Sequence, residues 1–124
     1  MSDEKDTVRG TTILENQPIC TMINTLTVKP ENQQALMDYL KAMTEEAVVT
    51  APGFISANFH VSKDGTRIIN YAQWRSLEDL QAMLAKNPHH VKRCNELSEN
   101  IEFRADLVVA YCAHPNEARV QERV

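Results

Sequence analysis

Residues 54–74 have the sequence FISANFHVSKDGTRIINYAQW, and this stretch decides the fold. Its two halves, Phe54–Val61 and Thr66–Trp74, are rich in the β-branched and aromatic residues that favour strands. The four residues between them contain Asp64-Gly65, a dipeptide typical of tight turns. Two strand-like runs joined in this way predict a β-hairpin, and the other elements are interpreted around it.

A strand and a helix are predicted upstream of the hairpin. The segment Cys20–Val28 is rich in Thr, Ile and Val, which predicts the first strand. Pro30 is well placed to open a helix that should end before the turn residues Pro52-Gly53. The apolar residues of this helix recur near a 3.6-residue period, and they are Ala35, Leu36, Tyr39, Leu40, Met43 and Ala47.

Two short helices and a strand are predicted downstream of the hairpin. Ser76 and Asp79 resemble a capping box at the start of the first of these helices. Its apolar positions are Leu77, Leu80 and Leu84. The second helix is predicted from Pro88 to about Asn100, and the final strand spans Phe103–Cys112.

The predicted order of elements is strand, helix, strand, strand, one or two helices, strand. This is the ferredoxin-like βαββαβ arrangement of the α+β class. One such sheet has helices on one face only, yet the strands carry apolar residues on both faces, so we expect a homodimer whose two sheets form a dimeric α/β barrel. The folded domain is predicted over residues 18–113, between polar tails at 1–17 and 114–124.

The composition is that of a globular chain with one core. It has 124 residues, of which 43% are hydrophobic, and a formal net charge of -4. Lys and Arg are scattered, which argues against a nucleic-acid or membrane partner. The polar start MSDEKDTVRG lacks the apolar run of a signal peptide, so we expect a cytoplasmic protein. Cys20, Cys94 and Cys112 are far apart and without CxxC spacing, which indicates neither a disulfide framework nor a metal site.

The candidate site residues come from the two-residue periodicity of strands. Asn70 and Trp74 are four apart, so an amide lies on the same strand face as the only indole of the chain. Asn24 similarly interrupts an otherwise apolar face of the first strand. By spacing alone, an ordinary role in the core is the favoured interpretation of these residues.

The stretch PGFISANFHVSKDGTRIINYAQWRS, residues 52–76, resembles the central hairpin of the antibiotic biosynthesis monooxygenases. It is most similar to the branch that oxidises polyketide anthrones to quinones, whose members carry a related PGF, His, DGT and NYAQW series. The resemblance implies that Asn70 and Trp74 bound a pocket for substrate and oxygen, where they hold the substrate and stabilise developing negative charge. It also implies a catalytic role for His60, which could bond a substrate oxygen.

The sequence departs from that branch at several helical positions. Where relatives donate polar substrate contacts, this chain has Leu80 and Cys94, with Arg93 beside the latter. Haem-degrading members of the family use three residues whose positions fall here on Asn24, Met83 and Arg93, so the axial histidine is missing. The resemblance therefore implies that Asn24, Leu80, Met83 and Arg93 contact the substrate. The neighbouring His89 and His90 point in different directions on a helix and make a poor metal pair.

The expected activity is a cofactor-independent monooxygenase reaction. The sequence has no glycine-rich dinucleotide fingerprint and no two-His-one-carboxylate spacing, so we expect no cofactor and no metal. The substrate would then supply the electrons, which suits an electron-rich anthrone, phenol or hydroquinone that reacts with O2 to give a quinone. The main alternative is a non-catalytic dimeric α/β-barrel protein that binds a small hydrophobic molecule. A haem-degrading monooxygenase is a third, less favoured reading.

Overall fold

The computed structural model of the protein describes residues 9–115. Residues 1–8 and 116–124 of the predicted tails lie outside the described residues. The elements are β1 (Cys20–Thr27), α1 (Pro30–Met43), β2 (Phe54–Val61), β3 (Arg67–Trp74), α2 (Leu77–Lys86), α3 (Pro88–Leu97) and β4 (Asn100–Leu107). A π-helical turn, Thr44–Val48, extends α1.

The four strands form one antiparallel sheet in the order β2-β3-β1-β4. This is the ferredoxin-like α+β fold that the order of predicted elements indicated. The sheet is open, with β2 and β4 at its edges. We call the face that packs against the helices the inner face and the opposite one the outer face.

The core lies between the inner face and the three helices. Trp74 and Ile68 of β3 are buried there together with Leu36 of α1 and Leu80 of α2. The residues of β1 that face this core alternate along the strand, as period-two geometry requires. They are Cys20, Met22 and Leu26, with Asn24 between the last two.

The hairpin turn between β2 and β3 is closed by a carboxylate. Asp64 Oδ1 accepts hydrogen bonds from the Thr66 backbone N–H (3.0 Å), the Thr66 hydroxyl (2.7 Å) and the Ser62 hydroxyl (2.7 Å). These donors favour the charged form and lower the pKa of Asp64 to about 2. Gly65 follows with a φ of +82°, a conformation that glycine adopts without steric cost. The Asp64-Gly65 pair thus forms the turn that the sequence predicted.

The start of α2 depends on a close approach to the turn before β2. Ser76 caps the helix, since its hydroxyl accepts a hydrogen bond from the Asp79 backbone N–H at 3.1 Å. Asp79 also forms an ion pair with Arg75 at 2.8 Å, which lowers the pKa of its carboxyl. A Cβ atom at Gly53, where φ is +84°, would collide with the Asp79 side chain. Gly53 therefore lets the turn and the helix start pack together.

The final strand differs from its predicted bounds of Phe103–Cys112. The structure places β4 at Asn100–Leu107, because α3 ends at Leu97 and the chain pairs at once with β1. The pairing joins Asn100 to Thr27 at one end and Leu107 to Thr21 at the other. The length of β1 thus sets the bounds of β4, while the apolar run at 107–111 drew the prediction too far along the chain.

The second half of the predicted N-terminal tail lies against the sheet. We call residues 9–17 the N-terminal arm. Asn58 Nδ2 donates a hydrogen bond to the Thr11 hydroxyl at 2.6 Å, and Gln73 Nε2 donates to the Thr12 carbonyl at 2.8 Å. Since Asn58 and Gln73 project from the outer face, the arm crosses that face over β2 and β3.

None of the helices in residues 9–115 combines the length and apolar character needed to cross a membrane. All four strands and three helices fall within the predicted domain, residues 18–113. A cytoplasmic location stays a prediction.

Candidate functional site

A cavity of about 300 Å³ lies between the inner face of the sheet and the helices. Its size is at the lower end of the range of about 300–1,000 Å³ for small-molecule sites. The wall from β1 and β3 consists of Met22, Asn24, Leu26, Asn70, Ala72 and Trp74. The helices contribute an opposite wall that includes Leu40, Thr44, Leu80, Met83, His90 and Cys94. The lining is mostly apolar with a few polar groups, which is the usual design of a pocket for a small organic ligand.

Two amides stand side by side on the sheet wall of the cavity. Asn24 and Asn70 are directly paired across β1 and β3. Asn70 is only 9% exposed, and its Oδ1 accepts a hydrogen bond from the Asn58 backbone N–H at 3.2 Å. A backbone N–H can only donate, so this bond fixes the orientation of the Asn70 amide and leaves its Nδ2 as a donor. Within residues 9–115, no protein group accepts a hydrogen bond from that Nδ2.

The second amide has an unmatched acceptor. Asn24 Oδ1 is buried and has no hydrogen-bond partner in the described part of the chain. Buried polar atoms are nearly always paired, so an orphaned atom in a cavity wall needs an explanation. A ligand in the cavity that accepts a hydrogen bond from Asn70 Nδ2 would satisfy that donor, whereas Asn24 Oδ1 is itself inaccessible from the cavity. The sheet wall can therefore orient a polar substituent in an otherwise apolar pocket.

An aromatic corner closes one end of the sheet wall. Trp74 is 2% exposed and meets Phe54 edge to face, with ring centroids 5.4 Å apart and an interplanar angle of 74°. Both rings line the cavity. Flat apolar surfaces of this kind favour contact with a planar aromatic ligand.

A second polar cluster lies where α1 and α3 meet. His90 of α3 stacks on Tyr39 of α1 with ring centroids 5.6 Å apart, and its Nδ1 is 3.2 Å from the Tyr39 hydroxyl. The thiol of Cys94, one turn further along α3, is 4.0 Å from the same nitrogen. Burial lowers the pKa of His90 and raises the pKa of Cys94 to about 11, because it disfavours the charged form of each. Both side chains are therefore neutral near pH 7.

Residues 19–95, more than half of the chain, match the family model described as antibiotic biosynthesis monooxygenase. The chain belongs to the antibiotic biosynthesis monooxygenase family. The family expected from residues 52–76 is thereby confirmed.

Three relatives make the likeness more specific. The tetracenomycin-F1 monooxygenase of Streptomyces glaucescens is 42% identical over 89 residues, which cover 70% of this chain and 80% of that protein. A crystal structure of an anthrone oxidase-like protein has a TM-score of 0.63 and 27% identity, covering 71% of this chain and 38% of that one. The ActVA-Orf6 monooxygenase of Streptomyces coelicolor, crystallised with nanaomycin D, has a TM-score of 0.59 and 25% identity, covering 79% of this chain and 97% of that one. These likenesses identify the chain as a monooxygenase of its family.

The structure brings five of the expected site residues of this monooxygenase to one cavity. They are Asn24, Asn70, Trp74, Leu80 and Met83. Leu80 and Met83 are buried in the helical wall, so their contribution is apolar surface. Cys94, where relatives were expected to donate a polar contact, also lines the cavity.

His60 and Arg93, two of the expected site residues, do not line the cavity. His60 is exposed and pairs with Ile69, so it projects from the outer face, whereas its neighbour Phe59 pairs with Asn70 and lines the cavity. Because adjacent residues of a strand point to opposite faces, His60 and Phe59 cannot both face the cavity. Arg93 is exposed on α3, where it contacts Glu96 at 3.4 Å. Neither residue can touch a ligand that is enclosed between the sheet and the helices.

His90 is the functional candidate that the sequence interpretation missed. The sequence interpretation considers His90 only together with His89, as a poor metal pair. Within residues 9–115 no cluster of three metal-ligating side chains is present. His89 is exposed, while His90 lines the cavity. The signal was present in the spacing, because His90 and Cys94 are four apart on a helix and so lie on the same face of it.

Proposed function

We propose that this monooxygenase oxidises an electron-rich aromatic compound, an anthrone, a phenol or a hydroquinone, to a quinone with O2 and without a cofactor. The observation that carries the proposal is the pairing of Asn24 and Asn70 in an apolar cavity beside Trp74. A planar ring fits the apolar walls, and its oxygen substituent can accept a hydrogen bond from Asn70 Nδ2. The name of one solved relative, an anthrone oxidase-like protein, supports an anthrone as the substrate class.

In the proposed mechanism the substrate is the electron source. Loss of a proton gives a carbanion or phenolate, which passes an electron to O2, and the resulting peroxide collapses to the quinone. The protein binds the ring in a dry pocket and holds it in one orientation. Asn70 Nδ2, fixed by the Asn58 backbone donor, stabilises the negative charge that develops on a ring oxygen.

A non-catalytic protein that binds a small hydrophobic molecule is the second candidate. It is favoured by the apolar side chains of Leu80 and Met83 on the helical wall, which offer a ligand no hydrogen bond. The two functions differ in what is lost on substitution of Asn70. A binding protein loses affinity only, whereas an enzyme loses turnover of bound substrate.

The test is incorporation of isotopically labelled oxygen with a panel of anthrones and phenols, whose oxidation to quinones inserts one oxygen atom. Wild-type protein should place label in the product, and Asn70→Ala should lower kcat by about 10²–10³-fold, the usual effect of removing one donor to a developing oxyanion. The exposed Asn100→Ala is the matched control and should retain wild-type turnover. Dependence of turnover on added iron, flavin or haem would contradict the cofactor-free reaction. Binding of the panel without turnover would favour the second candidate.

A further inference from the structure

The cavity contains one side chain that can take a proton near neutral pH. Of the residues that line it, none is Asp, Glu, Lys or Arg. The titratable members are Cys94 and His90, and the high pKa of Cys94, about 11, keeps it a thiol. The proposed reaction begins with loss of a substrate proton, so the chemistry needs a base at this place.

The partners of His90 determine which ring nitrogen is available. Its Nδ1 lies 3.2 Å from the Tyr39 hydroxyl and 4.0 Å from the Cys94 thiol, and the oxygen and the sulfur can each accept a hydrogen bond. An Nδ1–H that donates to Tyr39 leaves the lone pair of neutral imidazole on Nε2. Within residues 9–115, Nε2 has no hydrogen-bond partner. The stacked ring of Tyr39 holds the imidazole in place.

We propose that His90 is the catalytic base that removes the substrate proton, and that Tyr39 is a positioning residue which holds the Nδ1–H tautomer. The inference rests on the proposed function and names the group that carries out its first step. His90 and the Asn24–Asn70 pair lie on opposite walls of the same cavity, the helical wall and the sheet wall. A ring held between them meets an acceptor for its proton on one side and a donor for its charge on the other.

The atoms and electrons of this step balance for an anthrone. A methylene C–H bond breaks, its proton bonds to Nε2 of His90, and the electron pair stays on carbon. Transfer of one electron to O2 and recombination of the two radicals form a C–O bond and give a peroxide anion, which takes the proton back from His90. Loss of the second methylene proton with cleavage of the O–O bond releases water and leaves the carbonyl of the quinone.

The pH dependence follows from the groups that face His90. Tyr39 approaches from α1 and Cys94 from α3, and both are neutral near pH 7, while His89 on α3 disfavours a second positive charge. Burial is the larger cause, and it places the pKa of His90 below its ordinary value of 6.5. The base is therefore free at neutral pH and is lost as the pH falls below that lowered pKa. We expect kcat/KM to decline in acid with an apparent pKa below 6.5.

The first experiment compares His90→Ala with His89→Ala, an exposed neighbour on the same helix. With dithranol, a dihydroxyanthrone, as substrate, His90→Ala should lower kcat by about 10²-fold or more, abolish the acid decline and regain turnover in added imidazole. Tyr39→Phe keeps the ring but removes the acceptor for Nδ1–H, so the acid decline should move to lower pH. His89→Ala should behave as wild type. If His90→Ala does not fold, His90→Gln replaces it.

The second experiment separates proton removal from oxidation. Without oxygen, in deuterated water, wild-type protein should accelerate exchange of the dithranol methylene protons, measured by NMR, and His90→Ala should not. If the wild-type protein accelerates this exchange and His90→Ala does not, but the wild-type protein does not oxidise dithranol in air, the role of His90 is supported and the proposed oxidation is wrong. Equal exchange or equal turnover in wild type and His90→Ala would overturn the role of His90 and leave the oxidation intact. A wild-type protein that neither exchanges nor oxidises dithranol overturns both.

Discussion

At the scale of single residues, Trp74 combines a structural and a functional position. Its indole is buried against Phe54 and forms part of the cavity wall. Trp74→Phe keeps an aromatic ring in most of the same volume, so we expect a loss of stability below about 1.5 kcal/mol. Activity should fall further, because the wall that orients the substrate is reshaped. Steady-state kinetics and thermal unfolding of the same preparation measure the two effects.

Trp74→Ala is the contrasting variant, since it empties the position and should cost about 3–5 kcal/mol. A Trp74→Phe protein that loses stability as severely as Trp74→Ala, with kcat unchanged, would assign the indole to the core alone.

The residue scale also marks the limit of sequence interpretation. Asn70 and Trp74 could be placed on one face because they belong to the same strand, and period two is a local property. His60 belongs to the neighbouring strand, and its face relative to Asn70 is set by the antiparallel register, in which Phe59 rather than His60 meets Asn70. In a hairpin the register is set by the hydrophobic pattern of both strands and by the length of the turn, so the residue types of one strand alone do not place His60.

At the scale of elements, the contact between Gly53 and the start of α2 holds the hairpin against a helix. Gly53→Ala should destabilise the protein by about 1–2 kcal/mol from its left-handed backbone alone, and by more from the collision with Asp79. Gly65→Ala is a close control, because its φ of +82° nearly equals the +84° of Gly53 while its Cβ would meet Pro30 at a milder 3.2 Å. Urea unfolding gives both free energies. Equal losses for the two variants would contradict the importance of the Asp79 contact.

Elements whose signal is local were predicted well, and β4 shows why one was not. The capping hydroxyl of Ser76 and the Asp64-Gly65 turn act within a few residues, so their sequence patterns were sufficient. The strand β4 has the sequence NIEFRADL, in which four apolar residues alternate with four polar ones, a pattern typical of a strand with one buried face. The end of β4 is set by its pairing with β1, which stops at Leu107, whereas the apolar run at 107–111 extends beyond that pairing.

At the scale of the whole molecule, the outer face is the surface on which a homodimer would form. The helices cover only the inner face, and the outer face carries Ile69 at 37% exposure near its centre. Apolar side chains exposed beyond β4 include Val108 and Tyr111. We expect sedimentation to give twice the chain mass of 14.1 kDa at micromolar concentration.

Ile69→Lys should convert that dimer to a monomer, because a charge at the centre of an interface is costly to desolvate. Val49→Lys, at an exposed position after α1, should remain dimeric. A wild-type monomer that unfolds cooperatively and is fully active would refute the dimer.

The alternation of β3 has a further consequence for how this protein can change. Ile68, Asn70, Ala72 and Trp74 of β3 point to the cavity side. The residues between them point to the outer face, where Gln73 is buried beneath the N-terminal arm. The eight residues of β3 thus serve two faces of the sheet in alternation. Substitutions at the cavity-side positions can change the ligand preference without changing the outer face. Substitutions at the other positions can change the outer face without changing the cavity. An insertion or deletion of one residue within the strand would exchange the two sets of side chains and so alter both faces at once.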